Sequence, residues 1–128
     1  MEKELFIIDD DSIYRMIVSS MLEDILPELQ ITECDNGEIG LAKLKEVENS
    51  NKEIIVLLDI NMPILNGWEF LEEIKNQNYY KLSTLKIYLV SSSTDESDIS
   101  KSKQFNYLSG FYHKPLEIDD LRKILELN

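Results

Sequence analysis

The sequence predicts an α/β domain: a doubly wound sheet of five parallel strands in the order 2-1-3-4-5, with helices on both faces. Three observations carry this. Apolar runs of strand length alternate with segments of helical period five times along the chain, and parallel strands need a crossover helix between them. The third run, Ile54-Ile55-Val56-Leu57-Leu58, is apolar at every position, as in a central parallel strand covered on both sides. A length of 128 residues suits one core and leaves no room for a second domain. The order matters for chemistry. In such sheets ligands bind beyond the carboxyl ends of the strands where the order reverses, here between strands 1 and 3.

Leu5-Phe6-Ile7-Ile8 stops at acids and reads as a buried first strand. Ile13, Ile17, Met21 and Ile25 then recur every four residues, flanked by Met16, Val18 and Leu22. They predict a helix with a wide apolar stripe, stopped by Pro27. Leu29 to Cys34 alternates apolar and polar, as a strand near a sheet edge does. Asn36-Gly37 is a turn signal. Glu38 to Val47 is helical, with Leu41, Leu44 and Val47 inward. The third strand is followed by a helix from Gly67 to Gln77. Leu85 to Val90 is the fourth strand. Asp95 to Tyr107 is a weak fourth helix, rich in serine and anchored mainly by Ile99 and Phe105. Gly110 to His113 is the fifth strand, and Glu117 to Leu127 the last helix, with Leu121, Ile124 and Leu125 inward.

Composition narrows the function. Basic residues number 13 and acidic 25, a net charge of −12. Duplex binding needs basic residues to displace counterions, so nucleic acid is not expected as a partner. No apolar run approaches the ~20 residues that span a bilayer. Met1-Glu2-Lys3-Glu4 lacks the features of a signal peptide, and Cys34 is the one cysteine. A cytoplasmic single domain over residues 1–128, without an output domain, is the expectation.

The strand ends gather a constellation. Asp9, Asp10 and Asp11 follow strand 1, Asp59 follows strand 3, Ser91, Ser92 and Ser93 follow strand 4, and Lys114-Pro115 follows strand 5. Each alone has a plainer reading: an acid run caps a helix, and a lone Asp, a serine run or Lys-Pro makes a loop. Together at one cleft they mean more. Clustered carboxylates repel one another and call for a cation, and oxygen ligands suit Mg²⁺. Metal, ammonium and hydroxyl are the groups that offset and donate to a phosphoryl.

These residues resemble the receiver domain of two-component response regulators, of which the chemotaxis regulator CheY is the minimal form. The resemblance covers nearly the whole chain. It rests on Ile7-Ile8-Asp9-Asp10, on Leu57-Leu58-Asp59-Ile60-Asn61-Met62-Pro63 with Asn66-Gly67, on Leu89-Val90-Ser91-Ser92 and on Gly110-Phe111-Tyr112-His113-Lys114-Pro115. It implies that Asp59 accepts a phosphoryl group from a histidine kinase or histidine phosphotransfer protein. It implies that Asp10 binds Mg²⁺ directly, Asp9 directly or through water, and Asn61 through its backbone carbonyl, with Asp59 completing the protein's ligands. Ser91 would donate its hydroxyl to the phosphoryl, and Lys114 would pair with Asp59 before transfer and with the phosphoryl after it. Pro115 would follow a cis peptide, and Phe111 would be the switching aromatic of an output face made by the fourth helix, fifth strand and fifth helix. The domain would be a phosphoacceptor that promotes its own phosphorylation and dephosphorylation rather than an enzyme. Two departures stand out: the switch hydroxyl is serine rather than threonine, and Phe111 has no hydroxyl.

Two rival readings are carried forward. Asp9-x-Asp11 after an apolar strand also looks like the haloacid-dehalogenase phosphatase motif, with Asp9 as nucleophile and Asp11 as general acid. A phosphorylation-independent interaction module could use the same fold, although such modules usually lose the acids or the lysine. Asp11 is expected to cap the first helix, Cys34 to be a small core residue and Trp68 to pack. Tyr79 and Tyr80 are expected in a loop, and His113, on a strand, is not expected to act.

Overall fold

The computed structural model describes residues 2–92 and 95–127, Tyr80 by its backbone alone. Ser93 of the serine run lies outside the described residues. The elements run β1 (Lys3–Ile8), α1 (Ser12–Ile25), β2 (Gln30–Cys34), α2 (Gly37–Val47), β3 (Glu53–Leu58), α3 (Gly67–Asn76), β4 (Leu85–Ser91), α4 (Glu96–Ser102), β5 (Leu108–His113) and α5 (Ile118–Ile124). A single 3-10 turn, Tyr79–Lys81, precedes β4, so Tyr79 is not in an open loop but buried.

All four strand pairings are parallel, in the order β2-β1-β3-β4-β5. Side chains alternate across the sheet. Phe6, Ile8, Val56 and Leu58 face one layer, where Leu44 of α2 and Phe70, Leu71 and Ile74 of α3 cover them. Leu5, Ile7, Ile55 and Leu57 face the other, under Val18 and Leu22 of α1 and Leu121 and Ile124 of α5. The central strands are thus buried on both faces, which is why they read as continuous apolar runs.

Two helices differ from expectation. In α1 the buried side chains are Arg15, Val18 and Leu22, while Ile13 is 65%, Met16 60% and Ile17 51% exposed. A strict four-residue repeat drifts around a helix by ~40° per step, so it cannot hold one face. The spacing 15, 18, 22 follows the true helical period and sets the inner face. Met21 and Ile25 drift back toward the core and end half-buried.

The fourth helix ends at Ser102 rather than near Tyr107. The Ser102 hydroxyl donates to the Ile99 carbonyl at 2.6 Å. Backbone bonds then tighten to i→i+3, from Lys103 to Ser100, Gln104 to Lys101 and Phe105 to Ser102. These turns drop Phe105 into the core, where its ring stacks on Trp68 with centroids 6.0 Å apart. The last helix also stops early. Glu126 adopts a left-handed conformation, φ 59°, and Leu127 N–H donates back to the Arg122 carbonyl at 2.8 Å. That is a C-terminal cap built without glycine.

Candidate functional site

The sheet register brings the strand ends level. Ile8 pairs with Leu58, and Asp59 N–H donates to the Ile8 carbonyl at 3.0 Å, so Asp9 and Asp59 leave adjacent strands side by side. Ser91 pairs with His113, and Lys114 N–H donates to the Ser91 carbonyl at 2.9 Å. The Lys114-Pro115 peptide is cis. Asp9, Asp59 and Ser91 are buried, whereas Asp10 and Asn61 are exposed.

Carboxylate oxygens of Asp9, Asp10 and Asp59 lie within 4.8 Å of one another. Three hard oxygen donors at such spacing suit a small divalent cation better than a thiolate-seeking metal. The Lys114 ammonium sits between two of them, 2.7 Å from Asp9 Oδ2 and 3.6 Å from Asp59 Oδ1. It therefore pairs more closely with Asp9 than with Asp59. Burial, and next the charge of Asp9, push the Asp59 carboxyl up to about 6, against the opposing pull of Lys114 and the Ile60 N–H.

Local sequence explains how the loops hold these groups. Asp9 Oδ1 accepts the Asp11 N–H at 2.9 Å, which closes the acid turn. Asp11 turns away from the cleft: its carboxylate accepts the N–H groups of Ile13 and Tyr14 and caps α1. After Asp59 the chain turns through Ile64, at φ 69°, into a capping box between Asn66 and Glu69 at the start of α3. Gly67 packs so tightly there that a Cβ would stand 2.5 Å from the Asp59 carbonyl oxygen. Only glycine lets α3 begin against the backbone of Asp59.

Two site-lining residues escaped the sequence reading. Arg15 is buried; its guanidinium donates to the Asp9 carbonyl, to Glu33 at 3.1 Å and to Asp35 at 2.9 Å. It ties the acid turn to the end of β2. Tyr14 lays its ring beneath Lys114, the ammonium 4.3 Å from the centroid. The expected stripe of Ile13, Ile17, Met21 and Ile25 leaves Arg15 off the inner face, so the first gave no signal. Nothing in the spacing marks the second.

Phe111 is partly buried and meets the ring of His113 edge-on, with centroids 5.3 Å apart. His113 itself is exposed on β5, and Cys34 is buried at the end of β2, its thiol pushed up to about 11 by burial.

The family model described as the response regulator receiver domain matches residues 5–126. The chain belongs to the response regulator receiver family. Solved receiver domains superpose on it closely. A two-component response regulator from Cytophaga hutchinsonii is 26% identical, with a TM-score of 0.84 over 98% of this chain and 95% of that one. Chemotaxis protein CheY4 of Vibrio cholerae is also 26% identical, with a TM-score of 0.77 over 98% and 97%. Among curated relatives, the probable methanogenesis regulatory protein FilR2 of Methanothrix harundinacea is 23% identical over 95% of this chain and 78% of its own length. Other curated relatives are longer, and this receiver domain spans as little as 19% of them. Among the described residues, no helix is long and apolar enough to cross a membrane.

Proposed function

We propose that the domain is a cytoplasmic phosphoryl acceptor of a two-component relay, taking the group onto Asp59 from the phosphohistidine of a kinase or phosphotransfer protein. The observation that carries this is the Lys114 ammonium lodged between Asp9 and Asp59, with Asp10 beside them, at the carboxyl ends of β1, β3 and β5. An Asp59 oxygen attacks phosphorus in line with the donor nitrogen. The P–N bond breaks, its electron pair stays on the imidazole, and that nitrogen takes up a proton. A carboxyl held at about 6 is still mostly ionised at neutral pH and keeps its nucleophilic oxygen. Asp9, Asp10, Asp59 and the Asn61 backbone carbonyl would hold Mg²⁺, which would supply charge neutralisation for the phosphoryl oxygens. Lys114 pairs with one oxygen and the Ser91 hydroxyl donates to another.

The product is an acyl phosphate that water can cleave, so the state decays. Movement of Ser91 toward the phosphoryl, with Phe111 turning behind it, alters the face of α4, β5 and α5 that a target protein reads. The exposed Ile13, Met16 and Ile17 adjoin the acid turn and form the apolar surface that a phosphodonor protein covers during transfer. The phosphatase alternative is disfavoured because Asp11 is engaged by the helix N–H groups and Asp9 by Lys114 and the Asp11 N–H.

The test is intact mass after incubation with acetyl phosphate and Mg²⁺. The wild type should gain one phosphoryl mass and Asp59→Asn none. Retention of the label by Asp59→Asn, with its loss in Asp9→Asn, would move the acceptor to Asp9.

A further inference from the structure

Lys114 carries its charge on a flexible four-carbon stem, and its partners in the cleft are two carboxylates that repel each other. A third contact differs in kind. The Tyr14 ring, in the first turn of α1, lies 4.3 Å from the ammonium, well inside cation–π range. The ring is fixed from behind, since Tyr14 packs against the core layer of α1 and α5. Its hydroxyl is buried and has no hydrogen-bond partner among the described residues. Burial, Asp9 and Asp59 all hold that hydroxyl in its neutral form. The feature that engages the lysine is therefore the face of the ring.

We propose that Tyr14 is the positioning residue for Lys114: its ring face holds the ammonium at the cleft mouth independently of the carboxylates. This rests on the reading of Lys114 as the cation that meets the phosphoryl. An aromatic face attracts the ammonium but offers no oxygen. It keeps the lysine in reach of an incoming phosphoryl without competing for Asp9 or Asp59. Without it, the ammonium follows the carboxylates alone or swings into solvent, and each transfer must first recover it.

The experiment compares Tyr14→Leu and Tyr14→Phe, each alone and with Lys114→Ala. Phosphorylation rates with acetyl phosphate and Mg²⁺ come from intact mass, and folding is checked by the dispersion of the amide spectrum. Tyr14→Leu should slow phosphorylation roughly three- to tenfold, and Tyr14→Phe should rescue it. In the Lys114→Ala background, Tyr14→Leu should add less than about a twofold loss, because the partner of the ring is gone. A second readout needs no activity. In the metal-free protein the Lys114 ε-methylene protons should be shifted upfield by the ring in wild type and Tyr14→Phe, and return toward free-lysine positions in Tyr14→Leu.

A loss in Tyr14→Leu that persists in full without Lys114 overturns the proposal, as does a Tyr14→Phe variant as slow as Tyr14→Leu. So does a wild-type spectrum without the upfield shift. A wild type that takes no phosphoryl at all would sink the acceptor reading, and the proton shifts would still decide the ring–ammonium contact.

Discussion

Asp59 is ionised in a place that disfavours its charge. Its proton is held more tightly in the folded chain, at about 6, than at the ordinary 3.8, because burial and Asp9 both oppose the anion. For an acid raised in this way, the folded state binds more protons than the unfolded one between those values. Stability through this group therefore falls as pH rises from 3.8 to about 6 and stays lowered above it. Asp59→Asn should remove that fall. Without Mg²⁺ at pH 7 the variant should be more stable by roughly 1–2 kcal/mol, after allowance for screening at the cleft mouth, and the gain should vanish below pH 4. Melting curves across pH check this, and an equal gain at pH 3 would refute it. Arg15 makes the opposite case. Arg15→Ala leaves the Asp9 carbonyl without its donor and should cost about 2–3 kcal/mol in a urea titration. Mg²⁺ affinity by calorimetry should fall as well, because the acid turn loses its tie to β2. Neither Arg15 nor Tyr14 was legible as a site residue: both follow the acids within one helical turn or so, where a reader of periodicity sees only helix.

At the scale of elements, α1 shows what periodicity can and cannot say. That a helix runs from Ser12 was legible, because Asp11 caps it and apolar residues crowd the segment. Which face turns inward was not, since apolar residues lie on both sides and only packing against β1 and α5 selects Val18 and Leu22. The consequence is measurable. Ile17→Glu should change stability by less than about 0.5 kcal/mol, whereas Leu22→Ala should cost about 2–5 kcal/mol. Ile17→Glu should also slow transfer from a phosphorylated donor protein while leaving phosphorylation by acetyl phosphate intact. Equal losses with both donors would mean that the exposed stripe is not a docking surface. For α4 the serines pointed to a poor helix former but not to the stopping point, which the Ser102 hydroxyl and the burial of Phe105 determine. A short helix with few buried side chains opens at low cost. Hydrogen exchange with and without beryllofluoride, a phosphoryl mimic, should show its largest change outside the cleft within residues 91–113. A change confined to α1 and α2 would place the output elsewhere.

For the whole molecule, parallel order and the reversal between β1 and β3 were legible because five apolar runs alternate with helices and only a few topologies satisfy right-handed crossovers. The gathering of Asp9, Asp10, Asp59, Ser91 and Lys114 followed from that order without side-chain detail. The surface charge has its own consequence. A net −12 on 128 residues means that like charges crowd the folded chain more than the unfolded one. Raising NaCl from low to about 0.5 M should lift the melting temperature by roughly 2–4 °C. A fall would mean that ion pairs such as Lys86 with Glu53 and Glu126 outweigh the repulsion. Those pairs, with Lys3 Nζ donating to the Leu125 carbonyl at 2.7 Å, also fasten the last turn of the chain beneath the first residue of β1. Residues 3 and 125 therefore meet at the amino ends of the strands, about 20 Å of strand length from the acids. A molecule tethered to a sensor chip through residue 3 or 125 would stand with its cleft facing the flow, and a dye attached at either position would sit too far away to obstruct a visiting donor.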